Sequence, residues 1–131
     1  MVSSGMLQRV MAFCLLLGLA AGCASAPDAD SPVGMKYSSG TLSAVEAATF
    51  SQVWRASLAA LNDSDITVLD DERTHRGGTI DGRTTDLRTV RVQVRRLSQQ
   101  KTELRIRVDS FGDSELSHLL YEKVQIALGS R

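Results

Sequence analysis

The chain changes its hydrophobic rhythm several times. From Val10 to Ala21 it is almost uniformly apolar, and Arg9 is the single charge ahead of Gly22. That run is too short to cross a bilayer as a permanent helix, and it ends in small residues, as secretory signals do. Residues 24–35 are small, polar and proline-bearing without any period, the composition of a flexible tether. Periodic sequence begins after that. Tyr37 to Val45 predicts a first strand broken at Gly40, with Leu42 and Ala44 on one face. Thr49-Phe50-Ser51-Gln52 is a capping box. Phe50, Val53, Trp54, Ser57, Leu58 and Leu61 follow at helical spacing, and Asn62-Asp63-Ser64 closes that helix.

Ile66 to Leu69 predicts a second, short strand, followed by a charged turn over Asp70-Asp71-Glu72-Arg73. Gly77 to Thr84 predicts a third strand with Ile80 inward, and Thr85 to Arg88 turns it into a fourth. There Val90, Val92 and Val94 alternate with Arg91, Gln93 and Arg95. The fifth strand sets Leu104, Ile106 and Val108 against Glu103, Arg105 and Arg107. Centring the intervening turn on Gln99 puts Arg95 opposite Glu103. Centring it on Gln100 would oppose Arg95 to Arg105, which like-charge repulsion disfavours. A last helix begins with Asp113 as N-cap, buries Leu116, Leu120, Val124, Ala127 and Leu128, and stops at Gly129.

These elements predict an α+β domain in two layers, in the order β-α-β-β-β-β-α. An antiparallel sheet of about five strands carries two helices on one face, with strand order 1-5-4-3-2. The domain organisation is a signal peptide over 1–22, a lipidated cysteine and tether over 23–35, and one domain over 36–131.

Leu19-Ala20-Ala21-Gly22-Cys23 changes the picture most. A cysteine behind two small residues and a glycine, at the end of an apolar run, resembles the lipobox of bacterial lipoproteins. Such signals usually carry leucine where Ala20 stands. The resemblance implies acylation of Cys23 and a membrane partner through those chains, with attachment made durable by two or more of them. Ala24 in the next position is not the aspartate associated with inner-membrane retention, so the expected location is the outer membrane facing the periplasm. The alternative is an ordinary signal peptide cut near Ala24-Ser25-Ala26. With Cys14 in the signal and Cys23 lipidated, no thiol is left for a disulfide, a metal or nucleophilic catalysis.

Charge excludes little and suggests no global attraction to nucleic acid. The 131 residues balance 15 basic against 15 acidic side chains. Arg91, Arg95, Arg105 and Arg107 share the outward face of strands four and five. They are either a wet sheet face or a contact for anions, such as an anionic lipid or an acidic envelope partner. No aromatic residue interleaves them to stack bases. Phe50, Trp54, Leu116 and Leu120 are the candidate lining for an apolar or acyl ligand held between helices and sheet.

Other motifs have simpler readings. Phe111-Gly112-Asp113-Ser114 imitates the nucleophile block of Gly-Asp-Ser esterases, but no base and orienting group accompany Ser114. Gly77 to Thr84 has phosphate-loop spacing with arginine in place of the required lysine and no helix after it. Asp109, Asp113 and Glu115 do not have the spacing of a known calcium loop. His75 and His118 stand without partner ligands. No cofactor and no catalytic residue is therefore expected.

The exported part also resembles a family of small bacterial lipoproteins, domain-of-unknown-function family 3568. The residues that carry the resemblance are Tyr37 with Gly40-Thr41-Leu42, Val53-Trp54, Ala59-Ala60-Leu61, Gly78-Thr79-Ile80 and Val90-Arg91-Val92. Thr102 to Val108 and Phe111-Gly112-Asp113 are the most specific blocks. One departure is Leu87, where such chains tend to have glycine. The resemblance implies a fold and a location and transfers no catalytic residue. The function expected is that of a non-enzymatic binding or assembly module of the cell envelope, or alternatively a periplasmic carrier.

Overall fold

A computed structural model describes residues 33–129; the predicted signal peptide, Cys23 and most of the tether lie outside them. Six strands and two helices run in chain order. They are β1 (Gly34–Ser38), β2 (Thr41–Glu46), α1 (Phe50–Asp63), β3 (Thr67–Arg73), β4 (Gly77–Arg83), β5 (Thr89–Arg96), β6 (Thr102–Val108) and α2 (Ser114–Leu128). The sheet is antiparallel with order β1-β2-β6-β5-β4-β3. This is the predicted α+β architecture with one more strand at the edge.

The extra strand comes from Gly40. The predicted first strand is a hairpin, because Ser39 and Gly40 both adopt positive φ, at 52° and 80°. Two left-handed residues in succession make a tight turn whose twist suits paired strands. Its first arm begins at Gly34, so Gly34 and Met35 belong to a strand and not to the tether. The second correction concerns Asp70 to Arg73, expected as a turn. These residues continue β3 and pair with β4, Asp70 opposite Asp81 and Arg73 opposite Gly78. Every residue of β3 is exposed, and the register shifts between Val68 and Asp70. A bulge and a run of charge are how a sheet edge resists pairing with another chain.

One face of the sheet is dry. Leu42, Ala44, Ile80, Val90, Val92, Val94, Leu104, Ile106 and Val108 are buried there beneath the helices. α1 lies against β3, β5 and β6, and α2 against β2 and β6. The capping box at α1 is complete, with the Gln52 amide donating to Thr49 Oγ1 and the Thr49 amide donating to Gln52 Oε1. α2 starts on Asp113, which accepts from the Leu116 amide at 3.0 Å, and ends on Gly129 at φ 77°. Its buried stripe is narrower than predicted. Ser117, Leu120 and Val124 are buried, Leu116 and Leu128 are half-buried, and Ala127 is exposed.

Candidate functional site

The glycines of β4 answer to packing. A Cβ on Gly78 would lie 2.6 Å from the Trp54 ring, and one on Gly82 would lie 2.9 Å from Ile66. Trp54 therefore lies directly over the strand, and the phosphate-loop spacing records close helix–sheet contact. Trp54 stacks on Phe50 at 5.7 Å between ring centroids. The Arg73 and Arg96 guanidiniums lie over the Trp54 and Phe50 rings at 5.5 and 5.0 Å. Phe50, Trp54 and Leu120 are buried in the common core, and Leu116 packs at its margin. The side chains considered as a ligand lining are thus members of the packed core or, for Leu116, lie against it.

The four arginines do share the outward face, in the predicted register: Arg95 faces Glu103 and Gln93 faces Arg105. Three of them sit against carboxylates. Arg91 Nε lies 2.7 Å from Asp81, Arg95 Nε lies 3.1 Å from Glu103, and Arg105 Nε lies 3.7 Å from the same Glu103 oxygen. The Asp81 carboxylate keeps the Arg91 guanidinium protonated even above its ordinary range. Arg107 differs. It stands directly opposite Arg91, and its guanidinium is turned along the sheet into the loops. Nη1 donates to the Ser39 carbonyl at 2.9 Å and to Thr41 Oγ1 at 3.0 Å, and Nη2 donates to the Ser110 carbonyl. Neutral acceptors thus hold Arg107, and it ties the β1–β2 turn to the loop that follows β6.

Those two loops meet at one end of the sheet, which we call the apex. A Cβ on Gly112 would fall 2.5 Å from the Gly40 carbonyl oxygen and 2.8 Å from Tyr37 Oη. Both glycines have positive φ, 80° at Gly40 and 85° at Gly112. The β4–β5 turn joins them. The Asp109 amide donates to the Thr89 carbonyl at 2.8 Å, and Arg88 Nη1 lies 2.5 Å from Asp113. Asp113 is lowered from the ordinary carboxylate value, first by the Leu116 amide and then by Arg88. Asp86 is also lowered, chiefly by the Thr84 hydroxyl and then by Arg88. The Tyr37 ring lies 5.7 Å from the His118 ring.

The residues of the esterase-like block occupy this apex in other roles. Asp113 caps α2 and pairs with Arg88. His118 Nδ1 lies 2.7 Å from the Ser114 carbonyl, so that nitrogen carries its proton and donates it to the backbone. The same nitrogen is 3.4 Å from Ser114 Oγ and, being protonated, cannot take the hydroxyl proton. Among the described residues no group of His, Cys, Asp and Glu is arranged to hold a metal ion. His75 is exposed in the β3–β4 turn.

Two large apolar side chains project from the clamped loops. Phe111 is 95 % exposed and Leu87 is 75 % exposed. Leu87 also has φ 69°, a left-handed conformation in which glycine would be unstrained. Sequence reasoning assigned no role to Phe111 as a side chain. Its signal was an aromatic residue set between serine and glycine in a loop. Beside the apex, a depression of about 590 Å³ is lined by Arg88, Asp113, Glu115, Leu116, His118, Leu119 and Glu122.

At the other end of the domain a second polar contact joins the layers. Glu46, the last residue of β2, is buried and accepts from Tyr121 Oη at 2.9 Å and Gln125 Nε2 at 2.7 Å. Burial and the neighbouring carboxylate hold the Tyr121 phenol protonated far above its ordinary range. Thr102 Oγ1 donates to the Ala48 carbonyl at 2.9 Å beside it. Among the described residues no helix is long and apolar enough to cross a membrane.

A search of curated proteins finds no match to the chain. A family model matches residues 6–127, nearly the whole sequence, and includes every residue of the apex. On that match the chain belongs to the family described as protein of unknown function DUF3568.

Proposed function

We propose that the chain is a lipid-anchored lipoprotein of the cell envelope that binds or assembles instead of catalysing. The observation that carries this reading is Cys23, set behind Leu19-Ala20-Ala21-Gly22 at the end of an apolar run. In this reading residues 1–22 are removed as a signal peptide, and Cys23 carries the acyl chains. Residues 24–33 tether the domain to the periplasmic side of the outer membrane. The binding role draws support from the apex, where Gly40, Gly112, Arg107 and the Arg88–Asp113 pair hold Phe111 in full exposure. A rigid scaffold that displays an aromatic side chain to solvent suits recognition. The arginine face is a further surface for an anionic lipid or an acidic envelope protein, through Arg91, Arg95 and Arg105.

Growth of the producing cells with a clickable palmitate analogue tests the anchor. Label is expected on the wild-type protein and absent from Cys23→Ala. Equal, background labelling of both would overturn the reading.

A further inference from the structure

The two ends of the sheet differ in charge. The loops that close the apex carry Asp65, Asp86, Asp109 and Asp113, against Arg88 and the guanidinium of Arg107 reaching in from β6. The loops at the opposite end, which we call the base, are residues 47–49, 74–76 and 97–101. They contain no Asp or Glu. The register sets two of them side by side. Arg95 faces Gly77, Arg96 faces Thr102, and the Arg96 amide donates to the Arg76 carbonyl at 2.8 Å. Arg73, Arg76, Arg95, Arg96 and Lys101 therefore gather at the ends of four neighbouring strands, β3 to β6. The carboxylates beside them are Glu72, Glu103 and Glu46. Glu103 is shared by Arg95 and Arg105, and the buried Glu46 is held by Tyr121 and Gln125. Cations are in excess at the base, and carboxylates at the apex.

Arg73, Arg76 and Arg96 are exposed and have no carboxylate partner among the described residues. Arg73 and Arg96 lie over the Trp54 and Phe50 rings. Such stacking uses the face of a guanidinium and leaves the N–H groups on its edge for oxyanions. The base loops offer a protein partner little else, since their apolar residues, Ala48 and Leu97, are half-buried. The exposed Val33 and Met35 lie on the β1 side, across the sheet from β3. Protein interfaces centre on apolar and aromatic side chains and keep charge at the rim. A band of cations about 14 Å broad, three strand spacings without such a centre, suits a plane of phosphates.

We propose that the base is the end the domain turns to its own membrane, with its arginines resting on the phosphates of an anionic phospholipid leaflet. The proposal rests on the lipid-anchored reading and adds an orientation to it. The chain joins the domain at this same end, where Gly34 opens β1 opposite Val45, one row from Glu46 and Thr102. Ten peptide units separate Cys23 from Val33, a contour of at most about 36 Å. The apex lies farther off by the length of β6, roughly 23 Å. Each cation within a Debye length of an anionic surface, about 8 Å, shifts the equilibrium about fivefold. Several together orient a domain that is already tethered, while the carboxylates of the apex are repelled. Phe111 and Leu87 then face away from the leaflet.

The test uses the full-length protein purified from membranes and placed in vesicles of phosphatidylcholine, with or without phosphatidylglycerol. Both kinds include lipid with a nitroxide on its headgroup, a short-range quencher. A bimane dye on Gln99→Cys reports the base and one on Thr85→Cys the apex, both exposed loop positions. Emission at Gln99→Cys is expected to fall at least about twofold with phosphatidylglycerol and much less without it. Emission at Thr85→Cys stays constant in both. High salt, or Arg76→Glu in the same chain, restores the emission at Gln99→Cys. Equal emission from Gln99→Cys in the two kinds of vesicle would overturn the proposal. That holds whether the base then meets water, Asp28 and Asp30 of the tether, a second copy or an acidic protein. Stronger quenching at Thr85→Cys than at Gln99→Cys would overturn it too. Mass analysis of the N-terminal peptide in the same sample separates the two readings. An acylated chain without lipid-dependent quenching defeats the docking alone, and a chain without acyl groups defeats the anchor and the docking with it.

Discussion

Gly112 and Gly40 are packed backbone to backbone, so closely that a methyl on Gly112 would fall 2.5 Å from the Gly40 carbonyl oxygen. The contact joins the β1–β2 turn to the start of α2, across most of the length of the chain. Gly112→Ala meets both that clash and a left-handed φ of 85°. A loss of about 2–4 kcal/mol in unfolding free energy is expected from urea titration. Gly129→Ala is the control, since it has a similar φ of 77° and open space at its Cβ. It should cost only about 1 kcal/mol.

Arg107 acts as a clamp. Replacement by methionine keeps much of the stem and removes the bonds to Ser39, Thr41 and Ser110. A destabilisation of about 2–3 kcal/mol is expected, together with faster amide exchange in both loops. Arg105→Met, on the same face and half exposed, should change stability by less than about 1 kcal/mol. Equal effects of the two variants would mean that Arg107 is an ordinary surface residue.

Leu87→Gly should act in the opposite direction. The residue has φ 69° and buries little, so glycine relieves strain and sacrifices almost no packing. Offset by the extra freedom of the unfolded chain, a gain of about 0.5–1 kcal/mol is expected, read as a higher denaturant midpoint.

Asp113 carries an acid dependence. Its folded-state pKa is depressed below 3.8 by the Leu116 amide and then by Arg88. A depressed carboxylate contributes stability above its unfolded pKa and loses it as pH falls through the folded value. Asp113→Asn keeps a competent N-cap and removes the charge. Wild type should therefore exceed the variant in stability at pH 6, and the gap should close as the solution is taken below the ordinary carboxylate range. A gap that is constant with pH would show that the charge plays no part.

The buried Glu46 depends on two neutral donors. Tyr121→Phe removes the 2.9 Å bond and leaves the carboxylate with Gln125. A loss of about 1–3 kcal/mol is expected by thermal or urea unfolding.

Much of the architecture was legible because it rests on period and capping. Val90 to Arg95 and Glu103 to Val108 alternate cleanly, and charge alone chose the register that sets Arg95 against Glu103. Thr49-Gln52 and Asp113 marked both helix starts. What escaped lies where the chain has no buried face to betray it. Asp70 to Arg73 is a sheet edge, and an edge strand that guards itself with charge looks in sequence like a turn. The edge strand β1 shows little alternation, and the Ser39-Gly40 hairpin signal stood inside what was read as one strand. Arg107 shares the spacing of Arg91, Arg95 and Arg105, so its period says which face it starts from and not where its guanidinium goes. That destination depends on positive φ at Ser39, Gly40 and Gly112, which is a property of loops brought together by the fold.

The pairing of β2 with β6 sets Thr41 against Arg107 and has a consequence during synthesis. The meander from β3 to β6 assembles through short turns as it is made. The β1–β2 hairpin, translated earlier, has no neighbour to zip onto until the chain has grown past residue 102. A nascent chain stalled before that point would hold Leu42 and Ala44 uncovered, a natural target for a chaperone. The Gly40–Gly112 seam is then among the last parts of the domain to close.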